Sequence, residues 1–209
     1  MKTIDYYYAP ISGYAYLGEP RLVRVARSAG VSICFKPLDI GPVFEAAGVV
    51  PPARQSAERR AYRQTDMARI AERVGLSFNP KPAFWPVPMS LSARVVLAAQ
   101  ELGLDCHLVS MSLMRAIQVE DKDISNPDHV NQVLTTARLP AIKLLQTAEQ
   151  AEIYRALDLV NAEAIEQGVF GSPTYVFGSQ TFFGQDRLCD LAWHLEVDPL
   201  STLGVATPL

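Results

Sequence analysis

The sequence predicts an α/β fold with strands at both ends of the chain and helices between them. Three observations carry this. β-Forming residues fill Lys2-Thr3-Ile4-Asp5-Tyr6-Tyr7-Tyr8, and Val31-Ser32-Ile33-Cys34-Phe35-Lys36 alternates as a second strand does. Far downstream, a Ser172-Pro173 step enters Thr174-Tyr175-Val176-Phe177, and a Gly178-Ser179 turn leads to a second short β-type run, the pattern of a hairpin with a proline at its mouth. In the interval, apolar residues recur at three- and four-residue spacings.

Taken in order, the first strand hands over through Ala9-Pro10-Ile11 to Ser12, after which Leu17, Leu22, Val25 and Ala26 share one helical face up to Gly30. Ser12 therefore stands at a helix N-terminus. Serine there is a common N-cap, and the free amides and dipole of the first turn also favour an anion such as a thiolate. After the second strand, helices are predicted over Ala57 to Val74, Leu91 to Leu102, Pro127 to Ala137 and Ile153 to Gln167. Asn126-Pro127 is a good start for the third of these, with asparagine as cap and proline in the first turn. A last helical run covers Leu188 to Leu195. Cys106-His107 is expected in a strand-like or loop segment, with side chains pointing apart and no zinc-ligand spacing around them.

Composition bounds the function. The chain has 209 residues, 49% of them hydrophobic, with no long apolar run, so a sizeable core and no membrane span are expected. A net charge of −3 argues against general affinity for nucleic acid or an anionic membrane. Only Lys2 precedes the first β-type run and no apolar signal region follows, which predicts a cytoplasmic protein. Cys34, Cys106 and Cys189 are odd in number and far apart, which fits reduced, mostly buried thiols and not a disulfide framework. No metal site and no glycine-rich phosphate loop is legible.

The chain resembles the DsbA-like branch of the thioredoxin superfamily that lacks disulfide chemistry, namely the 2-hydroxychromene-2-carboxylate isomerases and the kappa-class glutathione transferases. The resemblance covers about residues 3 to 195. It rests on the strand-serine-helix start, Phe35-Lys36-Pro37-Leu38-Asp39-Ile40-Gly41, Tyr62-x-x-x-Asp66-x-x-Arg69, Asp123-Ile124-Ser125-Asn126-Pro127, Asn161-x-Glu163-Ala164, Gly168-Val169-Phe170-Gly171-x-Pro173-Thr174 and Phe183-Gly184-Gln185-Asp186-Arg187-Leu188. It implies a thioredoxin-like fold with a large all-helical insertion: a thioredoxin-like domain over 1–41 and 167–196, a helical insertion over 42–166 and a loosely ordered tail over 197–209. A homodimer is compatible with it.

The resemblance also implies a site for glutathione and a small aromatic or unsaturated substrate. Ser12 stands where disulfide enzymes carry the first cysteine of C-x-x-C, yet Ser12-Gly13-Tyr14-Ala15 holds no dithiol. Ser12 is therefore expected to stabilise the thiolate of glutathione, which then adds reversibly to the substrate to allow cis-trans isomerisation. Ser172-Pro173 is expected in the cis isomer, with the Ser172 backbone gripping the cysteinyl unit; an ordinary loop proline is the alternative. Gly184, Gln185 and Asp186 fall at the γ-glutamyl end, although Asp186-Arg187 also suits a helix cap and surface ion pair. Arg59 is placed to meet a carboxylate, or to be a solvated charge beside Arg60 and Arg63. Tyr14, Val49, Phe84 and Trp85 are expected to line the substrate pocket, the aromatic ones being equally suited to the core. A kappa-class-like transferase and a noncatalytic glutathione or peptide binder are the alternatives, and a disulfide oxidoreductase ranks below them. The chain departs from the isomerases where they carry amide side chains, at Val49 and Pro88, and has Gly13 where proline is common. A more apolar cleft, and a substrate other than the naphthalene-pathway compound, are expected from this.

Overall fold

The computed structural model describes residues 2–199 and 202. Four strands form one mixed sheet in the order β2-β1-β3-β4. Strand β1 (Thr3–Tyr8) pairs in parallel with β2 (Ser32–Pro37) across a crossover helix, α1 (Gly13–Ala29). On its other side β1 pairs antiparallel with β3 (Thr174–Phe177), which turns back into β4 (Gln180–Phe183). This is the thioredoxin-like arrangement, and between β2 and β3 every helix-or-strand element is a helix.

The consecutive tyrosines of β1 serve opposite faces because successive strand residues alternate. Tyr6 stacks on Tyr8 with centroids 4.3 Å apart and on its cross-strand partner Tyr175 at 5.5 Å, while Phe35 meets Tyr6 edge-on. Tyr7 points the other way and donates to Glu163 Oε1 at 2.9 Å. Glu163 lies on α8 (Ala151–Glu166) and also accepts from Lys36 Nζ at 2.7 Å, while Asn161 Oδ1, two residues earlier, accepts from the Asp39 amide at 3.1 Å. The Asn161-x-Glu163 motif is thus a clasp that fixes α8 to the end of β2. Glu163→Ala should leave the buried Tyr7 hydroxyl without its acceptor and cost about 1–3 kcal/mol, whereas Glu163→Gln should cost less, both read from urea unfolding midpoints.

The insertion contains α2 (Ile40–Ala46), α3 (Ala57–Val74), α4 (Ser90–Glu101), α5 (Cys106–Gln118), α6 (Pro127–Thr136) and α7 (Ala141–Ala148) before α8; α9 (Leu188–His194) closes the described fold. Helix α4 is its centre, buried from Ser92 to Ala99, with alanines at 93, 98 and 99 allowing neighbours to approach on several sides. The Cys106-His107 pair corrects the sequence expectation, since it opens a helix capped by Asp105, whose carboxylate accepts from the Leu108 amide at 3.1 Å. Nor is His107 isolated: its Nδ1 lies 2.9 Å from Glu19 Oε1, and Ser110 Oγ donates to Glu19 Oε2 at 2.7 Å. Glu19 is fully buried on α1, so this network joins α5 to α1 directly beneath the sheet tyrosines.

The cysteines also differ from expectation. All three are free, but Cys34 and Cys106 are only half-buried and Cys189 is exposed. Burial pushes the Cys106 thiol up to about 11 and raises that of Cys34, so neither is a ready thiolate near neutrality. Among the described residues no helix is long and apolar enough to cross a membrane. The tail expected to be loosely ordered falls, at residues 200, 201 and 203–209, outside the described residues.

Candidate functional site

Ser12 caps α1 and at the same time faces the hairpin. Its amide donates to Ala9 O at 2.9 Å, its extended backbone turns the chain into the helix, and its Oγ accepts from the Ala15 amide at 3.2 Å. The same hydroxyl lies 3.4 Å from Ser172 O, to which it donates. The Ser172-Pro173 bond is cis, and Ser172 Oγ accepts from the Ala9 amide at 2.9 Å. Two bonds therefore hold the Ala9–Ser12 turn to Ser172, which lies 160 residues after Ser12. In the first turn of α1, the Gly13 and Tyr14 amides have no acceptor among the described residues, which leaves the positive end of a 17-residue helix facing this point.

Two clefts open beside the neighbours of Ser12, which is itself 7% exposed and lines neither. One, of about 510 Å³, is lined by Ser172, Pro173, Gly184, Gln185 and Asp186 from the hairpin side and by Tyr14, Tyr62, Asp66 and Arg73 from α1 and α3. The second, of about 230 Å³, begins at Gly13 and is walled by Met67, Phe78 and Trp85, with Arg60, Arg63 and Lys81 along it. A shallower groove with Arg59 joins them past Tyr14, Tyr62 and Arg63. Tyr14 borders the first cleft and the groove, and its hydroxyl donates to Asp66 Oδ2 at 2.9 Å, which fixes the ring. The first volume falls within the range of small-molecule sites, and the second is smaller.

The structure brings Ser12, Tyr14, Ser172, Pro173, Gly184, Gln185 and Asp186 into one neighbourhood. Gly184 has φ +101 and donates its amide to Pro173 O at 2.9 Å; a Cβ there would meet Asp186 Oδ1 at 2.5 Å. Gln185 is turned inward, 5% exposed, with Oε1 accepting from Arg21 Nη2, so its amide ties the hairpin to α1. Asp186 forms the surface ion pair with Arg187 at 2.7 Å and still borders the cleft, but makes no helix-cap hydrogen bond. Arg59 lies on the shallow groove, and Trp85 in the second cleft, where its Nε1 donates to Ile11 O at 3.0 Å. Val49 and Phe84 do not line these three clefts. Val49 is half-buried at the end of α2, its amide bonded to Phe44 O at 2.8 Å, and Phe84 packs edge-on against His129.

Beside its apolar walls the second cleft carries polar groups, namely cations from α3 and the following loop with Gln64 and Gln118. The departure at Gly13 acquires a physical reason, since a Cβ there would stand 2.6 Å from Met67 Sδ and 3.2 Å from Phe78. Sequence reasoning missed Arg63, Asp66 as the partner of Tyr14, and Arg73. Helical phase held the signal for Arg63, which lies four residues before buried Met67 on the inward face of α3.

A family model described as a DSBA-like thioredoxin domain matches residues 3–196. A 2-hydroxychromene-2-carboxylate isomerase from Sphingobium xenophagum is 27% identical over 194 residues, covering 90% of this chain and 94% of the relative. One of the same name from Pseudomonas putida is 26% identical over 191 residues, covering 88% and 90%. Among solved structures, a selenomethionine 2-hydroxychromene-2-carboxylate isomerase superposes with a TM-score of 0.75 at 21% identity, covering 93% of this chain and 94% of the other.

Proposed function

The chain belongs to the DSBA-like thioredoxin domain family, and on that premise we propose that it is a glutathione-dependent isomerase of the 2-hydroxychromene-2-carboxylate isomerase type. The observation that carries this is the meeting of the Ser12 hydroxyl, the α1 N-terminus and the cis Ser172-Pro173 bond where no cysteine stands. That meeting suits a thiolate brought in by a small molecule. Bound glutathione would supply a thiolate that adds reversibly to an unsaturated aromatic acid, so that the former double bond can rotate before the thiol leaves.

The residues present fit that group. A cysteine-like thiol has a pKa of about 8.5, and lowering it by about two units takes roughly 2.7 kcal/mol of preference for the anion. Ser12 Oγ donates to Ser172 O over a long 3.4 Å, so turning its proton toward a thiolate gives up little. The unpartnered Gly13 and Tyr14 amides add to the same field. The Ser172 amide, without an acceptor among the described residues, can receive a peptide carbonyl in strand fashion. Asp186 faces Arg73 and Tyr62 across the first cleft, which suits a zwitterionic end group, and Arg59 lies within the adjoining groove for a further carboxylate.

The test is to follow 2-hydroxychromene-2-carboxylate with the purified protein, with and without glutathione. Isomerisation that requires glutathione without consuming it supports the proposal. Isomerisation independent of glutathione contradicts it, and a stoichiometric adduct assigns the chain to the transferase alternative.

A further inference from the structure

We propose that Arg63, clamped between Tyr14 and Trp85, anchors the carboxylate of a ring-bearing acid whose apolar body fills the second cleft. This deepens the isomerase proposal and rests on it only for the reaction that follows binding. The guanidinium carbon of Arg63 lies 5.2 Å from the centroid of each ring, so the cation is held between two aromatic groups. Both rings are themselves fixed, Tyr14 by Asp66 and Trp85 by Ile11 O. Asp66, one turn along, is engaged by Tyr14, and Arg63 makes no hydrogen bond or ion pair among the described residues. Its donors are thus pre-positioned and unspent, although burial lowers its pKa, with the neighbouring Tyr14 opposing.

The cleft beside it has the matching chemistry. Met67, Phe78 and Trp85 provide apolar and aromatic walls, Arg60 and Lys81 add positive charge, and among the described residues no carboxylate lines it. A planar guanidinium pairs with a carboxylate through two parallel bonds, which an ammonium cannot reproduce. Gly13 opens this cleft onto the helix N-terminus, so an acid held by Arg63 has its ring directed along the wall that begins beside Ser12. Arg63 also borders the groove, but Arg59 there and Arg73 in the first cleft offer separate cations to a second ligand.

Calorimetric titration with 1-naphthoate and with its neutral amide, 1-naphthamide, tests this, with glutathione titrated in parallel. The wild type should bind the acid more tightly than the amide. Arg63→Met should weaken the acid about ten- to a hundredfold, leave the amide within about twofold, and leave glutathione within about twofold; Arg63→Lys should recover part of the loss. Equal wild-type affinity for acid and amide overturns the proposal even if the variants fail to fold. So does an Arg63→Met variant that weakens glutathione but not naphthoate, which would give Arg63 to the thiol compound. Selective naphthoate binding in a protein that does not bind glutathione keeps this proposal and removes the isomerase one.

Discussion

Replacing Ser12 with alanine is expected to lower turnover by about ten- to a hundredfold while glutathione affinity changes by only a few-fold, because a hydrogen bond to a charged group is worth about 1.5–3 kcal/mol and gains most where thiolate charge is exposed. The same hydroxyl caps α1 by accepting from the Ala15 amide, so the alanine variant should also lose about 1 kcal/mol of stability. Ser12→Gly separates the two effects. Glycine at an N-cap costs only a few tenths of a kcal/mol, yet lacks the hydroxyl, so its turnover should fall as far as that of the alanine variant. The pH profile carries a second signature. If the wild type holds the thiol anionic well below about 8.5, its rate should level off near neutrality, whereas the variants should keep gaining toward that pH.

Replacing His107 with alanine is expected to destabilise the fold by about 3 kcal/mol, at the low end for breaking a buried pair because the His107 side chain is 33% exposed. Glu19 is fully buried, and without His107 its carboxylate keeps the Ser110 hydroxyl as a donor but loses the cation beside it. His107→Gln, which keeps a donor, should lose less. Burial alone would lower the His107 pKa, but the hydrogen bond and charge of Glu19 outweigh it and raise it above 6.5. Burial likewise raises the Glu19 carboxyl above 4.5, against the opposing contacts of His107 and Ser110. Both groups bind protons more tightly folded than unfolded. Their contribution is complete below the unfolded values and is lost as pH rises through the folded ones. Urea midpoints measured from about pH 6 to about pH 9 should therefore fall in the wild type.

The sheet was legible because its signals are local: alternation in β2, a Gly-Ser turn between β3 and β4, and a proline at their mouth. Ser12 was legible for the same reason, as a cap between strand and helix. Helix α5 was not, because Cys106-His107 read as a loop although Asp105, Val109, Leu113 and Ile117 carry a cap and a helical stripe. The second cleft was hidden more deeply. Its walls come from α1, α3, the loop bearing Phe78 to Trp85, and Gln118, segments whose meeting is a tertiary fact. Missing amides at Val49 and Pro88 pointed to an apolar site, but polarity enters from α3 through Arg60 and Arg63, which in sequence look like part of a solvated run. Gln185 shows the converse, a motif residue whose side chain is spent on Arg21 within the fold.

Titrating the thiol of bound glutathione by its ultraviolet thiolate absorbance, in the wild type and in Ser12→Ala, tests the central claim most directly. The bound thiol should titrate about two units below the free value of about 8.5 in the wild type and return most of the way to that value in the variant. The same pKa in both proteins would contradict it.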